Sequence, residues 1–497
     1  MKTTIVILLT VALTTSAFAA TWFVAPDGTG DTATIQAAID LAAPGDIIEL
    51  ADGVFTGPGN RDLDYLGKPI TVRSQGGDAS ACIIDCEGSS DDPHRGVWFH
   101  TAETADARLE NLTITGGDME AEAPLPGGVG GAILISHDAA PTLTGVVLRE
   151  NRAMSGGAMG IWSAAPTIEN CQFLDNHGWW GSGGAVALYY AVIPTPIVDC
   201  VFRRNASIQA GGGISSAQSE FALERCIFEE NTLTNGSGGG LECYSETVCQ
   251  VTDCTFVRNS SGHGGGTAIK WNSEVVIRRC TFSENSASNS SGVYVDDSEV
   301  RLAQSILAFG QGASVELGNS GTLTVECCDI YGNEGGDWVD DIADQADQAH
   351  NRSVDPLFCG DAQPDQPYSL QSASTCAPGV YPCIQIGAWP VGCTVMAVNE
   401  ATPDAGMLTL HGAVPSPFNP RTSITFSLKQ SGPVELAIYD ARGRRITVLT
   451  DGVQPVGSTT VSWDGRDQAG RDVPSGTYLV VARSGSEMDV SKAVLIR

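Results

Sequence analysis

A chain of 497 residues with 58 glycines and only 17% charged residues is longer than one ordinary domain and too rich in turns for a helical protein. Its formal net charge of −31 argues against nucleic acid and anionic membrane as partners. Divalent cations and neutral or basic surfaces remain compatible with this charge.

Residues 1–20 have the pattern of a secretory signal peptide. Lys2 gives the charged start, residues 5–13 the apolar core, and Ala17 and Ala19 the small residues of a cleavage site. The apolar run is too short to span a membrane. We therefore predict an exported protein without a transmembrane span.

Residues 21–57 are predicted to form an N-terminal cap. Ile35 and Ile39 are spaced for one face of a short amphipathic helix at 32–42, with Thr32 or Thr34 as N-cap. Residues 47–50 have the composition of a first strand. A helix here would cover the open edge of the first coil and protect it from aggregation.

A repeated Cys-x-Phe-x-x-Asn unit follows, and its cysteines are 29, 26, 28 and 26 residues apart. The units consist of Cys171, Phe173, Asn176; Cys200, Phe202, Asn205; Cys226, Phe228, Asn231; Cys254, Phe256, Asn259; and Cys280, Phe282, Asn285. A glycine cluster comes after each of the first four units. This period predicts stacked coils of short strands, so that 58–393 form a right-handed parallel β-helix, a single-stranded solenoid.

Stacking gives each repeated position a predicted role. The phenylalanines would form an interior stack, and the cysteines a ladder of buried thiols on the same strand face. The asparagines would lie at a corner, in the left-handed conformation, with each amide bonded to the asparagine of the next coil. Packing alone therefore explains the repeat.

The repeat also resembles a known family. Gly-Gly-Ala units at 130–133, 156–159 and 183–186, combined with Phe-x-x-Asn, resemble the repeats of the chlamydial polymorphic outer-membrane proteins, which are adhesins. More broadly, residues 30–390 are similar to the pectin-lyase-like right-handed β-helix superfamily. This resemblance implies the fold, but the same fold carries lyases, hydrolases, adhesins and passive stalks.

Residues 394–410 look like a linker, and 411–497 are predicted to form a small Ig-like β-sandwich of some seven short strands. Pro417-Phe418-Asn419-Pro420, Tyr439-Asp440 and Trp463-Asp464-Gly465 resemble the flagellar hook-cap Ig-like module and C-terminal sorting domains of the type IX secretion kind. The resemblance implies a secretion machinery as partner. It also implies attachment to the outer surface of a Gram-negative-type bacterium.

The 15 cysteines are an odd number in an oxidising compartment. The parallel side chains of the ladder cysteines oppose bridging. Cys243 and Cys249 are candidates for a small disulfide loop. A second set of cysteines is predicted to staple the closing region: Cys359, Cys376, Cys383 and Cys393. No paired Cys-x-x-C units exist, so we predict no metal site.

Catalysis by a lyase would need Ca²⁺ carboxylates and a nearby base. The candidate acids are Asp199, Asp253, Asp296 and Asp297, and the candidate bases are Arg203, Arg204, Arg258 and Lys270. Asp199 and Asp253 would lie about 10 Å apart on alternate coils, with Arg225 between them. A solvated Asp–Arg–Asp stack is the simpler interpretation, so we predict no cofactor, with Ca²⁺ as the exception if the chain is a lyase.

A binding site is predicted in the longest interval of the ladder, between Cys171 and Cys200. Trp179, Trp180, Tyr189 and Tyr190 fall there, where surplus residues must protrude. Alternatively, these aromatics cover coil edges. The sequence thus favours a secreted surface protein that binds glycan or protein. The alternative hypothesis is a secreted polysaccharide lyase or glycoside hydrolase. A third hypothesis is a passive stalk.

Overall fold

The computed structural model describes residues 19–121, 127–179, 181–364, 366–379, 383–393, 408–416, 418–440, 444–484 and 487–495. The predicted signal peptide (but for its last two residues) and residues 394–407 of the predicted linker lie outside these ranges. The chain divides into two compact units, Met1–Thr394 and Val395–Arg497. None of the helices among the described residues is long and apolar enough to cross a bilayer.

The first unit is a parallel β-helix built from three sheets, as the period predicts. Sheet A contains Thr21–Val24, Ile47–Leu50, Thr71–Ser74, Arg108–Glu110, Thr142–Thr144, Thr167–Glu169, Thr195–Val198, Glu220–Glu224, Val248–Thr252, Glu274–Arg278, Glu299–Ala303 and Thr322–Glu326. Sheet B contains Gly53–Phe55, Cys82–Asp85, Thr113–Thr115, Val147–Arg149, Gln172–Leu174, Val201–Arg203, Ile227–Glu229, Thr255–Val257, Thr281–Ser283, Ile306–Ala308 and Asp329–Tyr331.

Sheet C has two arms that meet in the long strand Ser286–Asp296. The arm that follows sheet B in each coil contains Asp118–Met119, Arg152–Ala153, His177–Gly178, Ala206–Ser207, Thr232–Leu233 and Ser260–Ser261. The arm that precedes sheet A contains Leu63–Asp64, Val97–Phe99, Ile133–Ser136, Met159–Trp162, Val186–Tyr189, Ile214–Ala217, Leu241–Tyr244 and Thr267–Lys270. Gln311–Gly318 pairs with the long strand.

The phenylalanines of the repeat lie in register at the centre of sheet B. Their rings stack with centroids 4.6–4.7 Å apart and planes within 5–6° of parallel, from Phe173 to Phe282. Leu307 and Ile330 continue the column in the last two coils. The column is fully buried, so it forms the spine of the β-helix core.

The repeat asparagines form a buried ladder beside this spine. In each rung, one asparagine accepts hydrogen bonds at its Oδ1 from the backbone N and the Nδ2 of the preceding asparagine, as Asn231 does from Asn205 at 3.0 and 2.9 Å. Asn151 adds a rung before the first repeat. The predicted left-handed conformation of the asparagines is wrong, because it belongs to the residue before each one, such as Glu230 with φ of 57°. That residue turns the chain and leaves the asparagine free to point inward.

The ladder cysteines are free and buried. Their thiols donate to backbone carbonyls, as Cys254 Sγ does to Thr252 O at 3.2 Å. Burial raises the pKa of Cys254 well above its usual range, which makes this thiol unreactive. The predicted Cys243–Cys249 bridge is wrong, since both thiols are free and buried in the core, on strands at either side of a corner.

The β-helix begins with the strand Thr21–Val24, ahead of the start at residue 58 that the sequence predicts. This strand pairs with Ile47–Leu50, which is the second strand rather than the predicted first one. Between them lies the helix Ile35–Leu41, where Thr34 Oγ1 accepts a hydrogen bond from Ala37 N at 3.3 Å as the N-cap. Ile35 and Ile39 are fully buried against the first coils. The helix therefore covers the open end of the core, as predicted.

After Tyr331 the chain forms two 3₁₀ helices, Asp340–Gln345 and Gly360–Ala362, and a small pair of strands, Leu370–Gln371 and Val391–Cys393. We call residues 355–379 with 383–393 the closing strap. The strap runs back over sheet B: Trp389 Nε1 donates to Thr255 Oγ1 at 2.7 Å, and Ala388 N donates to Thr281 Oγ1 at 3.0 Å. The outer side of the last coils is thereby covered.

Two disulfides hold this region, and three of the four cysteines predicted to staple it take part in them. Cys359 bonds to Cys393, whereas Cys383 bonds to Cys327, which the sequence did not indicate. Cys376 is free, and its thiol donates to Asp329 Oδ2 at 3.0 Å. Cys376 is therefore the member of the predicted set that does not form a disulfide, and a buried carboxylate accepts its thiol hydrogen instead.

The second unit has seven antiparallel strands in two sheets, as predicted. One sheet contains Leu408–Val414, Thr422–Leu428 and Gly457–Trp463, and the other contains Arg445–Gln454, Gly432–Asp440, Gly476–Ser484 and Glu487–Leu495. Trp463 is buried between Phe418 and Tyr478, with ring centroids 5.3 and 5.1 Å away. Its Nε1 donates to Arg466 O at 3.0 Å, which satisfies the polar end of this core residue.

Candidate functional site

The corner at which each coil passes from sheet C to sheet A is built from residues with positive φ. In the later coils these include Gln218, Ser245, Trp271, Asn272 and Asp297, with φ between 45° and 63°. Left-handed backbone turns the chain sharply at such a position. All of these side chains are exposed except that of Ser245, which is half-buried, and successive coils bring them into a row.

A groove of about 1120 Å³ runs along this row, and we call it the corner groove. It is lined by Gln218, Ser245, Glu246, Val248, Trp271, Asn272, Ser273, Glu274, Asp297, Ser298, Glu299, Ser320 and Thr322. Hydroxyl, amide and carboxylate groups predominate in this lining. It spans five successive coils, so the same kinds of polar group recur at the coil spacing.

Trp271 is the aromatic residue of the corner groove, and 52% of it is exposed. Tyr244 contacts the indole edge to face with a centroid distance of 5.7 Å, and Lys270 Nζ lies 5.0 Å from its centroid. An exposed indole in a polar groove offers a flat apolar surface for stacking. The tyrosine and the cation fix where that surface lies.

A buried ion pair lies behind Trp271. Glu242 is completely buried, and its carboxylate is 2.6 Å from Lys270 Nζ, 3.0 Å from Ser237 Oγ and 3.2 Å from Ser215 Oγ. Burial raises the pKa of Glu242, and Lys270 opposes that rise. A buried pair is tolerated when further hydrogen bonds satisfy it, as both serines do here. Glu242 therefore holds Lys270 against the indole.

Sequence reasoning named Lys270 as a base but missed Glu242. In the strand Leu241–Tyr244 a lone glutamate looks like a solvent-facing residue. The feature that indicates a buried glutamate is the register of the coils, which pairs Glu242 with the small residues Ser215 and Ala268. Small neighbours leave room for a buried carboxylate, and the serine supplies a donor.

The aromatic residues predicted to form one binding site lie in two separate places in the structure. Tyr189 and Tyr190 both contact Trp162, each with a centroid distance of 5.2 Å. Tyr190 is 43% exposed and lies at the same corner as the groove, where its N donates to Ala217 O of the next coil. The surplus residues of this long coil form its loop, with Val192 and Ile193 exposed.

Trp179 lies elsewhere, after the two-residue strand His177–Gly178. It is 46% exposed, and its ring contacts His177 with a centroid distance of 5.7 Å. Trp180 lies outside the described residues. Of the four predicted ligand-binding residues, the structure thus brings together the two tyrosines and adds Trp162, which the sequence did not indicate.

Most of the candidate acids and bases are engaged in ion pairs. Asp199 accepts two hydrogen bonds from Arg225 at 2.7 and 2.8 Å, which lower the pKa of this carboxyl group. Asp253 is held in the same way by Arg279, at 2.7 Å for both bonds. The predicted Asp–Arg–Asp stack is therefore correct for Asp199 and wrong for Asp253, because each aspartate takes the arginine that follows it by one coil.

The other candidate bases face carboxylates too. Arg203 and Arg258 both pair with Glu229, and Arg204 pairs with Asp175. Asp296 accepts a hydrogen bond from Asn319 at 2.6 Å, and Asp297 lines the corner groove. In the part of the chain that the structure describes, no group of three or more His, Cys, Asp or Glu side chains is placed to hold a metal ion.

Two family models match the chain. Residues 195–352 match the right-handed β-helix region, and residues 416–487 match the FlgD Ig-like domain. No curated protein matches it. Both family matches fall on the corresponding units of the structure.

Several solved structures are similar at low identity. Pectate lyase Pel9A has 14% identity and a TM-score of 0.44, over 76% of this chain and 97% of that one. The tailspike protein gp49 of Acinetobacter baumannii bacteriophage Fri1, a capsular polysaccharide depolymerase, has 13% identity and a TM-score of 0.32, over 93% and 76%. The family 28 exopolygalacturonase of Yersinia enterocolitica has 11% identity and a TM-score of 0.27, over 63% and 78%. The chain is a right-handed parallel β-helix followed by an FlgD-like Ig domain.

Proposed function

We propose that this protein is exported to the cell surface and binds a glycan in the corner groove of its β-helix. The observation that carries the proposal is the exposed Trp271 in a groove of polar side chains. Glycans present hydroxyl groups at the ring edge and C–H groups at the ring face. Trp271 suits the face by stacking, and the hydroxyl and amide groups around it suit the edge.

The regular coil spacing supports a polymeric ligand. Rows of groove residues in the five coils from Gln218 to Ser320 span about 19 Å at the strand spacing of the sheets. Tyr190 precedes the row of Gln218 by one coil and would extend the same line of contacts. A rigid, repeated row loses little conformational freedom on binding, which favours affinity.

A glycan array with the purified protein tests this proposal. Trp271→Ala should abolish retention of the ligand and leave the melting temperature almost unchanged, because the indole is exposed. Trp179→Ala removes an indole of similar exposure, 46% against 52%, and is the matched control. Loss of binding in Trp179→Ala alone would move the site to the segment around His177, and binding unaffected by Trp271→Ala would end the groove proposal.

The rival function is a secreted polysaccharide lyase or glycoside hydrolase. Lys270 favours it, because this amine lies at the edge of the groove with 17% of its side chain exposed. Its ion pair with Glu242 opposes a role as base, which requires a free amine. Reducing-sugar and unsaturated-uronide assays, with and without Ca²⁺, decide the matter. Turnover by the pure protein that Lys270→Met abolishes would establish the enzyme.

Surface attachment is the role that we propose for the second unit. The FlgD-like domain falls within the second unit, Val395–Arg497, and has its own buried core around Trp463. Such an autonomous module is suited to recognition by a secretion machinery while the β-helix performs binding. The resemblance to type IX sorting domains motivates this assignment.

A further inference from the structure

The corner groove carries negative charge without neutralisation. Its carboxylates are Glu246, Glu274, Asp297 and Glu299, and no Lys or Arg is among the described residues that line it. Lys270, whose ammonium group lies over the ring of Trp271, is paired with the buried Glu242. Any ligand that enters the groove therefore meets a negative potential.

Other charged rows of the same coils are arranged differently. At the corner between sheets A and B, Asp199 is paired with Arg225 and Asp253 with Arg279. In the described part of the chain, Glu246, Glu274 and Glu299 form no such ion pair. The corner groove thus differs from its surroundings in leaving carboxylates free for a ligand.

Two of these carboxylates face each other across adjacent strands. Glu274 and Glu299 are direct partners in sheet A, at about the 4.8 Å spacing of neighbouring strands. Like charges in this position repel each other and destabilise the pair. A cation bound between them would remove the repulsion. The two side chains line the same groove as Trp271 and Asn272. A molecule stacked on Trp271 would therefore bring its own cationic group within reach of both carboxylates.

We propose that the ligand of the corner groove is a polymer of amino sugars with free, protonated amines. This inference rests on the proposed function and names its ligand class. The sugar ring would stack on Trp271, its hydroxyl groups would bond to Asn272, Ser245 and Gln218, and its ammonium groups would pair with Glu274 and Glu299. Polyuronates, which are polyanions, would be repelled.

Binding of oligomers of β-1,4-linked glucosamine tests this proposal, with the N-acetylated oligomer of equal length and oligogalacturonate as comparisons. We expect the free-amine oligomer to bind at least about tenfold more tightly than the N-acetylated one, and its affinity to fall with salt as the charges are screened. Oligogalacturonate should not bind. Equal or tighter binding of the N-acetylated oligomer would overturn the amino-sugar inference and leave the glycan proposal intact.

The variant pair Glu274→Gln with Glu299→Gln should weaken binding of the free-amine oligomer about fivefold, the effect of losing two exposed ion pairs. Asp106→Asn with Glu334→Gln removes two exposed carboxylates outside the groove and should leave the affinity unchanged. An equal loss of affinity in both double variants would mean that only the net charge of the protein matters, and it would overturn the inference.

If no sugar oligomer binds in a Trp271-dependent way, the proposed function fails together with this inference. If oligolysine binds as tightly and Trp271→Ala has no effect, the groove is a general polycation site, and the inference fails.

Discussion

Phe228 lies in the middle of the phenylalanine stack, with Phe202 and Phe256 each in parallel contact with its ring. Truncation to alanine would leave a void that the rigid coils cannot close. We expect Phe228→Ala to lower the free energy of unfolding by about 3–5 kcal/mol. Guanidinium unfolding of the β-helix, followed by far-UV circular dichroism, measures the change. A loss under about 1 kcal/mol would be incompatible with an unrelaxed stack.

Asn231 satisfies four buried polar groups at once. Its Oδ1 accepts from Asn205 N and Nδ2, and its Nδ2 donates to Phe202 O and Asn259 Oδ1. Asn231→Ala removes all four of these hydrogen bonds from the core, although Asn205 Nδ2 keeps its bond to Phe173 O and Asn259 Oδ1 keeps the bond from Asn231 N. We expect a cost of about 2–4 kcal/mol. Asn235→Ala, an exposed asparagine four residues later, should change stability by no more than about 0.5 kcal/mol. Equal effects in the same unfolding assay would contradict the ladder.

Glu242 and Lys270 allow a second test of buried polarity. Glu242→Leu alone would leave a half-buried ammonium without its partner and cost about 3–5 kcal/mol. Replacing both residues with leucine should restore most of that loss, since neither charge remains. A double-mutant cycle on the free energy of unfolding measures the difference. If the two single losses simply add in the double variant, Glu242 and Lys270 do not act as a pair.

At the scale of elements, the closing strap depends on its disulfides. The Cys359–Cys393 bond closes a loop of 34 residues along the chain. Cys359→Ser with Cys393→Ser should cost about 3–4 kcal/mol from the loop entropy alone. The strap should then open to limited proteolysis near Trp389, while the coils before Thr255 stay protected. Unchanged proteolysis would mean that the hydrogen bonds to Thr255 and Thr281 suffice.

Some elements of the structure could be predicted from the sequence and others could not. The period of Cys-x-Phe-x-x-Asn was sufficient to predict the coils and the interior columns of the β-helix, because identical residues at a fixed spacing must stack. It did not reveal Asn151, whose unit has Val146 and Leu148 in place of cysteine and phenylalanine. The bond between Cys327 and Cys383 and the corner groove were also missed. Both arise from residues far apart in the chain, which no local pattern connects.

At the scale of the whole molecule, the two units have separate cores. Deletion of residues 395–497 should therefore leave the β-helix folded, with the circular dichroism spectrum and melting temperature of its own transition unchanged. In the native cell the truncated protein should no longer appear on the surface, as measured by protease shaving of intact cells. Normal surface display would remove the sorting role and leave a structural Ig-like module.

The asparagine ladder has a consequence for how such a chain changes length. Each ladder asparagine bonds through its side chain to groups of the neighbouring coils, as Asn231 does to Asn205, Phe202 and Asn259. Residues with left-handed backbone precede Cys226 and Cys254 alike. Excision of residues 226–253 would join Arg225 to Cys254 and bring Asn205 against Asn259 with every bond remade. Loss or gain of a fragment of a coil would instead turn all later side chains out of register. Whole coils are therefore the units that can be added to or removed from this protein. Each added coil would lengthen the corner groove by one strand spacing.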